Sequence, residues 1–229
     1  MSAQLSIVIP CLNEGEALIK LLQQLQYLRQ QGHQLILVDG GSEPPPDRSL
    51  TAYVDHLLTS APGRAQQMNN GAAVAEGDLL WFLHADSQIV AGSEQPMLVQ
   101  PVDESLWGRF DIRLSGSHFL LRVVERMMNW RSRVTGIATG DQGIFVHRAL
   151  FHKIGGFPQQ PLMEDVEISR RLKRHAPPRC LHQPLITSSR RWESGGVMAT
   201  ILLMWGLRLA YWFGVSPKRL ADFYRNHRH

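Results

Sequence analysis

The nine residues from Asp78 to Asp86 constrain the fold more than any other stretch of the chain. The five consecutive apolar residues from Leu79 to Leu83 leave no polar face, which predicts a strand covered by helices on both sides, as in a parallel sheet. His84 and Asp86 follow directly. Because ligands of open α/β sheets bind just beyond the carboxyl ends of the strands, this stretch predicts a binding site at that edge.

Asp86 has two interpretations. A carboxylate at a strand end, with no basic partner nearby in the sequence, is suited to hold a divalent cation against a diphosphate. Alternatively, Asp86 begins a turn or caps a helix that follows Ser87. These few residues do not separate the two interpretations, so the rest of the chain has to decide.

A length of 229 residues allows one large domain, or a domain with a small appendage, around a real core. The net charge of +4, with Arg and Lys concentrated after Arg109, suits a phosphorylated ligand, an anionic lipid surface or nucleic acid. No nucleic-acid recognition motif is present, so we expect no nucleic-acid partner. Cys11 and Cys180 form neither a disulfide framework nor a zinc set, and no signal peptide is seen, which predicts a cytoplasmic protein.

The first part of the chain alternates between strand and helix patterns. The predicted strands are 5–9, 34–38, 54–58 and 78–83, and the predicted helices are 16–31 and 63–76. Strand, helix and strand in so short a span predict parallel strands with right-handed crossovers, and overall a β-α-β-α-β-α-β half-sheet. The G-x-G-x-x-G fingerprint of NAD and FAD sites is absent after the first strand, and the P-loop pattern is absent too.

The second part is more mixed. It shows strand patterns at 106–114, at 144–146 and near 181, and helix patterns at 117–130, 149–154 and from 164 to about 175. Gly140 and Gly143 flank Asp141 in a stretch that carries no other charge, which predicts a loop before the strand at 144–146.

Five motifs stand in a fixed order along about residues 4 to 193. They are Ile9-Pro10-x-x-Asn13-Glu14, Val38-Asp39-Gly40-Gly41-Ser42, Phe82-Leu83-His84-Ala85-Asp86, Gly155-Gly156-Phe157 followed by Glu164-Asp165, and Arg191-Trp192. Together they resemble the motifs of glycosyltransferase family 2, the nucleotide-diphospho-sugar transferases of the GT-A fold. The subgroup of short chains with F-L-H-A-D and G-D-Q-G is often labelled arsenosugar-biosynthesis glycosyltransferases, and this chain resembles it. The resemblance implies an α/β fold with a mainly parallel sheet flanked by helices, and we expect it to cover residues 1–193.

Three positions depart from the family pattern. Gly40 replaces the second Asp of V-D-D-G-S, which removes one contact to base or ribose. His84 replaces the first Asp of D-x-D, so Asp86 is the one carboxylate left there. Ser188 replaces the Gln of Q-x-x-R-W, which argues against a polymerising enzyme.

The resemblance implies an inverting, metal-dependent transfer of a sugar from a nucleoside diphosphate, UDP by family habit, to an acceptor hydroxyl. The implied nucleotide site consists of Pro10, Glu14, Asp39, Arg64 and Asp86. The implied cofactor is Mn²⁺ or Mg²⁺, with Asp86 as its ligand and His84 as either a second ligand or a hydrogen-bonding neighbour. For Glu14 and Arg64 the competing interpretation is an ordinary charge in the first turn of a helix.

The resemblance also assigns the acceptor side. Asp165 is expected to act as base, and Glu164 to orient the acceptor. Asp141 is expected to bind acceptor hydroxyls. Arg190 and Arg191 are expected to hold the departing diphosphate, since guanidinium groups match phosphate oxygens. Trp192 is either a sugar platform or a packing residue.

Residues 194–229 form a predicted apolar helical appendage. The run Val197–Val215 is long enough to cross a bilayer, but it contains Arg208 and is followed by basic residues, which opposes a spanning orientation. We therefore expect a helix that lies in the membrane interface on the inner face, packs on the domain or forms a homodimer.

Two functional hypotheses follow. The first is the metal-dependent glycosyltransferase, with a nucleoside diphosphate sugar and a glycan, lipid or small-molecule acceptor. The second is a non-catalytic nucleotide-sugar binding protein of the same fold. Gly40 and His84 favour it because they replace two aspartates of the family pattern. The retained Glu164-Asp165 pair favours the enzyme.

Overall fold

The computed structural model describes residues 4–98 and 103–227. Its strands are β1 (Leu5–Cys11), β2 (Gln34–Asp39), β3 (His56–Thr59), β4 (Leu79–Phe82), β5 (Trp107–Leu114), β6 (Phe145–His147) and β7 (Arg179–Thr187). Its helices are α1 (Glu16–Gln24), α2 (Gln26–Gln30), α3 (Arg64–Ala73), α4 (Gln95–Leu98), α5 (Phe119–Thr135), α6 (Arg148–Lys153), α7 (Glu164–Lys173), α8 (Arg190–Ser194), α9 (Val197–Trp212) and α10 (Pro217–Asn226).

In the described residues the strands form one sheet in the order β3-β2-β1-β4-β6-β5-β7. The pairs among β1, β2, β3 and β4 are parallel, as is the pair β5 and β7. β6 runs antiparallel to its neighbours β4 and β5. The predicted α/β class, with a mainly parallel sheet flanked by helices in a GT-A fold, is confirmed.

The central strands are buried on both faces, as their apolar runs predicted. In β4, Leu79 and Trp81 pack with the leucines of α1 and α2, whereas Leu80 and Phe82 pack on the opposite face with α3. Alternate side chains of a strand point to opposite faces, so each strand contributes to two hydrophobic layers. The parallel pairing of β1 with β2 and with β4 places the carboxyl ends of these three strands at one edge of the sheet.

Two predicted helices differ from the structure. The single helix predicted over 16–31 is interrupted at Leu25, although the predicted stripe of leucines is buried throughout. Between β2 and β3, where the predicted alternation placed a helix, the chain forms a 3-10 helix at Arg48–Tyr53. No glycine or proline marks the break at Leu25, so the sequence pattern does not reveal it.

The C-terminal helices pack on the rest of the molecule. Leu207 of α9 and Leu220 of α10 are buried against Met163 and Val166 at the start of α7. Val197 and Ile201 of α9 contact the core beneath α5. Of the helices in the described residues, none has the length and apolar character needed to cross a membrane. The boundary at residue 193 stays a prediction.

Candidate active site

The loops after β1 and β2 are joined into one hydrogen-bonded unit. The Asn13 amide donates to Ser42 Oγ at 2.8 Å, and the Glu43 amide donates to Asn13 Oδ1 at 2.9 Å. Asn13 has a φ of 54°, a left-handed conformation that Asn adopts more readily than most residues. The first two motifs are therefore parts of a single structure that holds Glu14 and Asp39 at this edge of the sheet.

Asp39 is buried at the end of β2, and its carboxylate organises its own turn. Asp39 Oδ2 accepts hydrogen bonds from the amides of Gly41 at 3.1 Å and Ser42 at 3.0 Å. Asp39 Oδ1 accepts one from Ser42 Oγ at 2.5 Å. These bonds give Asp39 a structural role in the turn, and its contact with the nucleotide base stays a prediction.

The space beside Gly40 is taken by Gln67 of α3, which explains the first departure from the family pattern. Gln67 is buried and donates to the carbonyl oxygens of Cys11 at 2.7 Å and Val38 at 2.8 Å. A Cβ atom on Gly40 would lie 3.0 Å from the Gln67 amide. The missing side chain at position 40 is thus replaced by a glutamine that connects α3 to the ends of β1 and β2.

Four of the predicted nucleotide and diphosphate residues share one region. Partial desolvation at the strand ends raises the pKa of Glu14, the charge of Asp86 raises it further, and Arg190 and Arg64 lower it. Glu14, Arg64 and Arg190 are exposed, and Asp86 is half-buried. The ends of β1 and β4, the start of α3 and the start of α8 therefore converge, although these residues are far apart in the sequence.

The surroundings of Asp86 are suited to a cation that a bound diphosphate would also coordinate. Within the described residues, no hydrogen bond or ion pair occupies the Asp86 carboxylate, while the negative charge of Glu14 lies nearby. No group of three or more His, Cys, Asp or Glu side chains in the described part of the chain is arranged to hold a metal. Mg²⁺ is typically bound by one or two carboxylates plus substrate phosphates, so this donor set fits a metal completed by a diphosphate.

The Gly155-Gly156-Phe157 motif anchors the loop that precedes α7. Asn69 of α3 accepts from the Phe157 amide at 2.9 Å and donates to its carbonyl oxygen at 2.8 Å. The Phe157 ring meets Phe82 of β4 edge-on, with centroids 4.9 Å apart. Gly156 has a φ of 68°, and a Cβ atom there would lie 2.7 Å from Asn69 Oδ1, so this position requires glycine.

The two acidic residues at the start of α7 differ in environment. Glu164 is buried, and this burial, with a contribution from the charge of Asp165, raises its pKa to about 7. Asp165 Oδ2 accepts from the Gly140 amide at 3.0 Å, and Oδ1 accepts from the Val166 amide at 2.8 Å. The preceding Met163 has a φ of 65°, a strained conformation of the kind that clusters at functional sites.

Gly140 and Arg64 connect the Asp86 side to the Asp165 side. Gly140 donates to Asp165, and a Cβ atom on it would lie 2.6 Å from Nε2 of His84. The charge of Arg64 lowers the pKa of both Glu14 and Glu164. The predicted metal ligand and the predicted base therefore belong to the same region of the molecule.

Asp141 lies in a charged cluster that the sequence did not reveal. Burial raises the pKa of Asp141, and Asp165 raises it too, whereas a hydrogen bond from the Thr139 side chain and the charges of Arg208 and Arg131 lower it. Arg131 belongs to α5 and Arg208 to α9. Helix periodicity alone gives two such arginines no special status, so no sequence signal identified them.

Three further predicted residues have less direct positions. Pro10 is buried in β1, where it pairs in register with Val38, so it shapes the strand end. Trp192 packs against the cluster of Leu121 and Val124 under α5, which agrees with its packing interpretation. The backbone of Arg191 is helical, but its side chain lies outside what the structure describes.

The sheet order, the anchored loop motifs and the paired acidic groups define a GT-A-type fold with a candidate transferase site at the strand ends. The sequence profile of the family described as Glycosyl transferase family 2 matches residues 6–141, more than half of the chain. The chain belongs to this family. The comparison with curated proteins finds no match. The arsenosugar label stays a prediction.

Solved structures of TarS from S. aureus have a similar fold. The structure of TarS residues 1–349 has a TM-score of 0.64 at 16% identity, over 87% of this chain and 65% of that one. Its complex with UDP has a TM-score of 0.62 at 14% identity, over 81% and 60%. Its complex with UDP-GlcNAc has a TM-score of 0.61 at 15% identity, over 81% and 58%. This chain thus spans less than two thirds of the TarS chains, and at this identity the likeness concerns the fold.

Proposed function

We propose that the protein is an inverting glycosyltransferase that moves a sugar from a nucleoside diphosphate, UDP in the first instance, to an acceptor hydroxyl. The observation that carries the proposal is the convergence of Asp86 and Asp165 on one region, connected through Gly140 and Arg64. The family and the UDP and UDP-GlcNAc complexes of TarS support a nucleotide-sugar donor.

On the donor side, Glu14 and Asp39 would contact ribose and base, and Arg64 and Arg190 would hold the diphosphate. Guanidinium groups suit this task because their donors match phosphate oxygens in pairs. Asp86, with His84 as a neighbour or second ligand, would hold Mn²⁺ or Mg²⁺. When bound, the cation neutralises the diphosphate as negative charge develops on the leaving group.

On the acceptor side, Asp165 is the proposed base and Glu164 orients the acceptor. The acceptor oxygen bonds to C1 of the sugar on the face opposite the diphosphate, while the bond from C1 to the diphosphate oxygen breaks. The hydroxyl proton passes to Asp165, and the nucleoside diphosphate leaves. The two amides that bind Asp165 fix its carboxylate, which favours a single direction of proton transfer.

Nucleotide-sugar turnover separates this proposal from the non-catalytic alternative. With Mn²⁺ present, wild-type protein should release UDP from a panel of UDP-sugars, and Asp165→Asn should lower this rate by about a hundredfold or more. Asp165→Asn should still bind UDP, because Asp165 is on the acceptor side. Binding without any turnover in the wild type, across donors and with acceptors supplied, would favour the binding protein.

We also propose that α5 and α9 dock on an anionic membrane surface. Each helix exposes an apolar stripe at helical spacing, which consists of Phe119, Val123, Met127, Trp130 and Val134 on α5 and of Met198, Leu202, Trp205, Leu209 and Trp212 on α9. Exposed Arg126, Lys218 and Arg219 lie on α5 and α10 and complement anionic lipids. Aromatic side chains in an apolar stripe with flanking basic residues are typical of interfacial helices, so this surface fits lipid better than a second copy.

A further inference from the structure

Arg131 and Arg208 carry buried hydrogen-bond donors that nothing in the described residues satisfies. They are Nε and Nη2 of Arg131 and Nε of Arg208. Guanidinium donors that are buried without a partner cost free energy, and native proteins seldom leave them so unless a ligand or solvent completes them. Asp141 Oδ1 is a buried hydrogen-bond acceptor that likewise has no partner in the described residues.

The two arginines lie where α5 and α9 meet. Val124 and Met128 of α5 pack in the same cluster as Val197 and Ile201 of α9. Burial lowers the pKa of Arg131 to about 10, the positive charge of Arg208 lowers it further, and the carboxylates of Asp141 and Asp165 raise it. The buried guanidinium nitrogens of both arginines that lack a partner in the described residues indicate room for a further acceptor, such as an anionic group.

This pair is on the acceptor side of the candidate active site. Arg131 and Arg208 act on Asp141, which itself interacts with Asp165. Arg190, by contrast, acts on Glu14 next to Asp86, and Arg64 acts on both Glu14 and Glu164. The Arg131 and Arg208 pair therefore lies with Asp141 and Asp165, on the side that we assign to the acceptor.

We propose that Arg131 and Arg208 bind an anionic group, a phosphate or a carboxylate, that the acceptor carries close to the hydroxyl to be glycosylated. The inference rests on the proposed function, because it takes Asp165 as the base. Arg binds phosphate and carboxylate through paired, charge-assisted hydrogen bonds. Asp141 would accept a hydrogen bond from a further hydroxyl of the same acceptor. Such an acceptor could be a lipid headgroup or a soluble phosphorylated compound.

The test uses the full chain with two probes that share this chemistry. One is soluble sn-glycerol 3-phosphate, measured by calorimetry. The other is a vesicle of phosphatidylglycerol, compared with one of phosphatidylcholine, measured by co-sedimentation. Arg131→Gln and Arg208→Gln should each weaken binding of the recognised probe about tenfold. Arg48→Gln, an exposed charge in the 3-10 helix between β2 and β3 and away from α5 and α9, should stay within about twofold.

The outcomes separate the two sources and the two proposals. Binding of the soluble probe supports a soluble acceptor, and binding of phosphatidylglycerol that depends on both arginines supports a lipid. UDP with Mn²⁺ should bind all variants equally and should not compete with either probe. Competition by UDP, or no arginine-dependent binding of either probe, would overturn the inference. Failure of the wild type to bind UDP would instead count against the proposed function.

A wild-type measurement covers the case in which a variant does not fold. Inorganic phosphate should protect Arg131 and Arg208, but not Arg126, from labelling by phenylglyoxal, as read by mass spectrometry. Equal labelling of all three arginines with and without phosphate would contradict the inference.

Discussion

Glu164 carries a charge in a place that disfavours it. Its side chain is 8% exposed, next to Asp165, and its pKa is raised from 4.5 to about 7. The folded state therefore holds this proton more tightly than the unfolded chain does. Protonated Glu164 therefore contributes to the free energy of unfolding. This contribution is fully present below pH 4.5 and is lost as the pH rises through about 7.

Glu164→Gln should remove the loss of stability that the wild type shows as the pH rises. At pH 4 the variant and the wild type should have similar free energies of unfolding, because Glu164 is largely protonated in both the folded and the unfolded state. At pH 8 the variant should be more stable, by on the order of 2 kcal/mol. Chemical denaturation at the two pH values measures the difference. Glu104→Gln, at an exposed position before β5, should show no such pH dependence. An equal effect of Glu164→Gln at both pH values would contradict the account.

At the scale of elements, α9 supports the start of α7. Leu207 is 3% exposed and packs with Met163, which immediately precedes the two acidic residues, whereas Leu209 on the same helix is 57% exposed. Arg170 of α7 also lies over the ring of Tyr211 of α9, 5.1 Å from its centroid. These contacts hold the strained Met163 backbone in place.

Leu207→Ala should therefore destabilise the protein by about 2–4 kcal/mol. It should also lower UDP-sugar turnover at temperatures where the variant stays folded, because Glu164 and Asp165 lose their support. Leu209→Ala is the matched control and should change the free energy of unfolding by no more than about 0.5 kcal/mol. Equal effects of the two substitutions on stability would show that α9 does not support α7.

The sequence predicted the sheet because its central strands are continuous apolar runs bounded by polar turns. Glu14 and Asp86 could be grouped because the motifs that contain them stood in a known order, whereas Arg64 and Arg190 belong to none of those motifs. The structure brings all four into one region. Their roles stay predictions.

Other parts of the site had no local signal. Gln67 and Asn69 act through hydrogen bonds to backbone atoms 56 and 88 residues away. Arg131 and Arg208 meet only because α9 packs on α5. Pairings of this range depend on the assembled fold, and no spacing within one helix reports them.

At the scale of the whole molecule, the apolar stripes of α5 and α9 predict binding to anionic vesicles. Trp205 and Trp212 are 53% and 69% exposed, so their removal should leave stability nearly unchanged. Replacing both by Ser should lower co-sedimentation with phosphatidylglycerol vesicles about tenfold or more. Ile19→Ser on α1, another exposed apolar residue, is the control.

Sedimentation velocity without lipid tests whether a second copy of the chain covers the apolar stripes of α5 and α9 instead. A dimer that dissociates in the double Trp variant, together with unchanged vesicle binding, would assign this surface to a second copy of the chain. A monomer whose vesicle binding depends on both tryptophans would support the membrane.

The central claim is that one region of the molecule contains both a cation site at Asp86 and a base at Asp165. Calorimetry of UDP binding with and without Mn²⁺ tests it most directly. Wild-type protein and Glu104→Gln should bind UDP at least about tenfold more tightly with Mn²⁺. Asp86→Asn should lose this difference, and Asp165→Asn should keep it while its turnover falls. If Mn²⁺ leaves the wild-type affinity for UDP unchanged, or if Asp86→Asn retains the full Mn²⁺ effect, the claim is wrong.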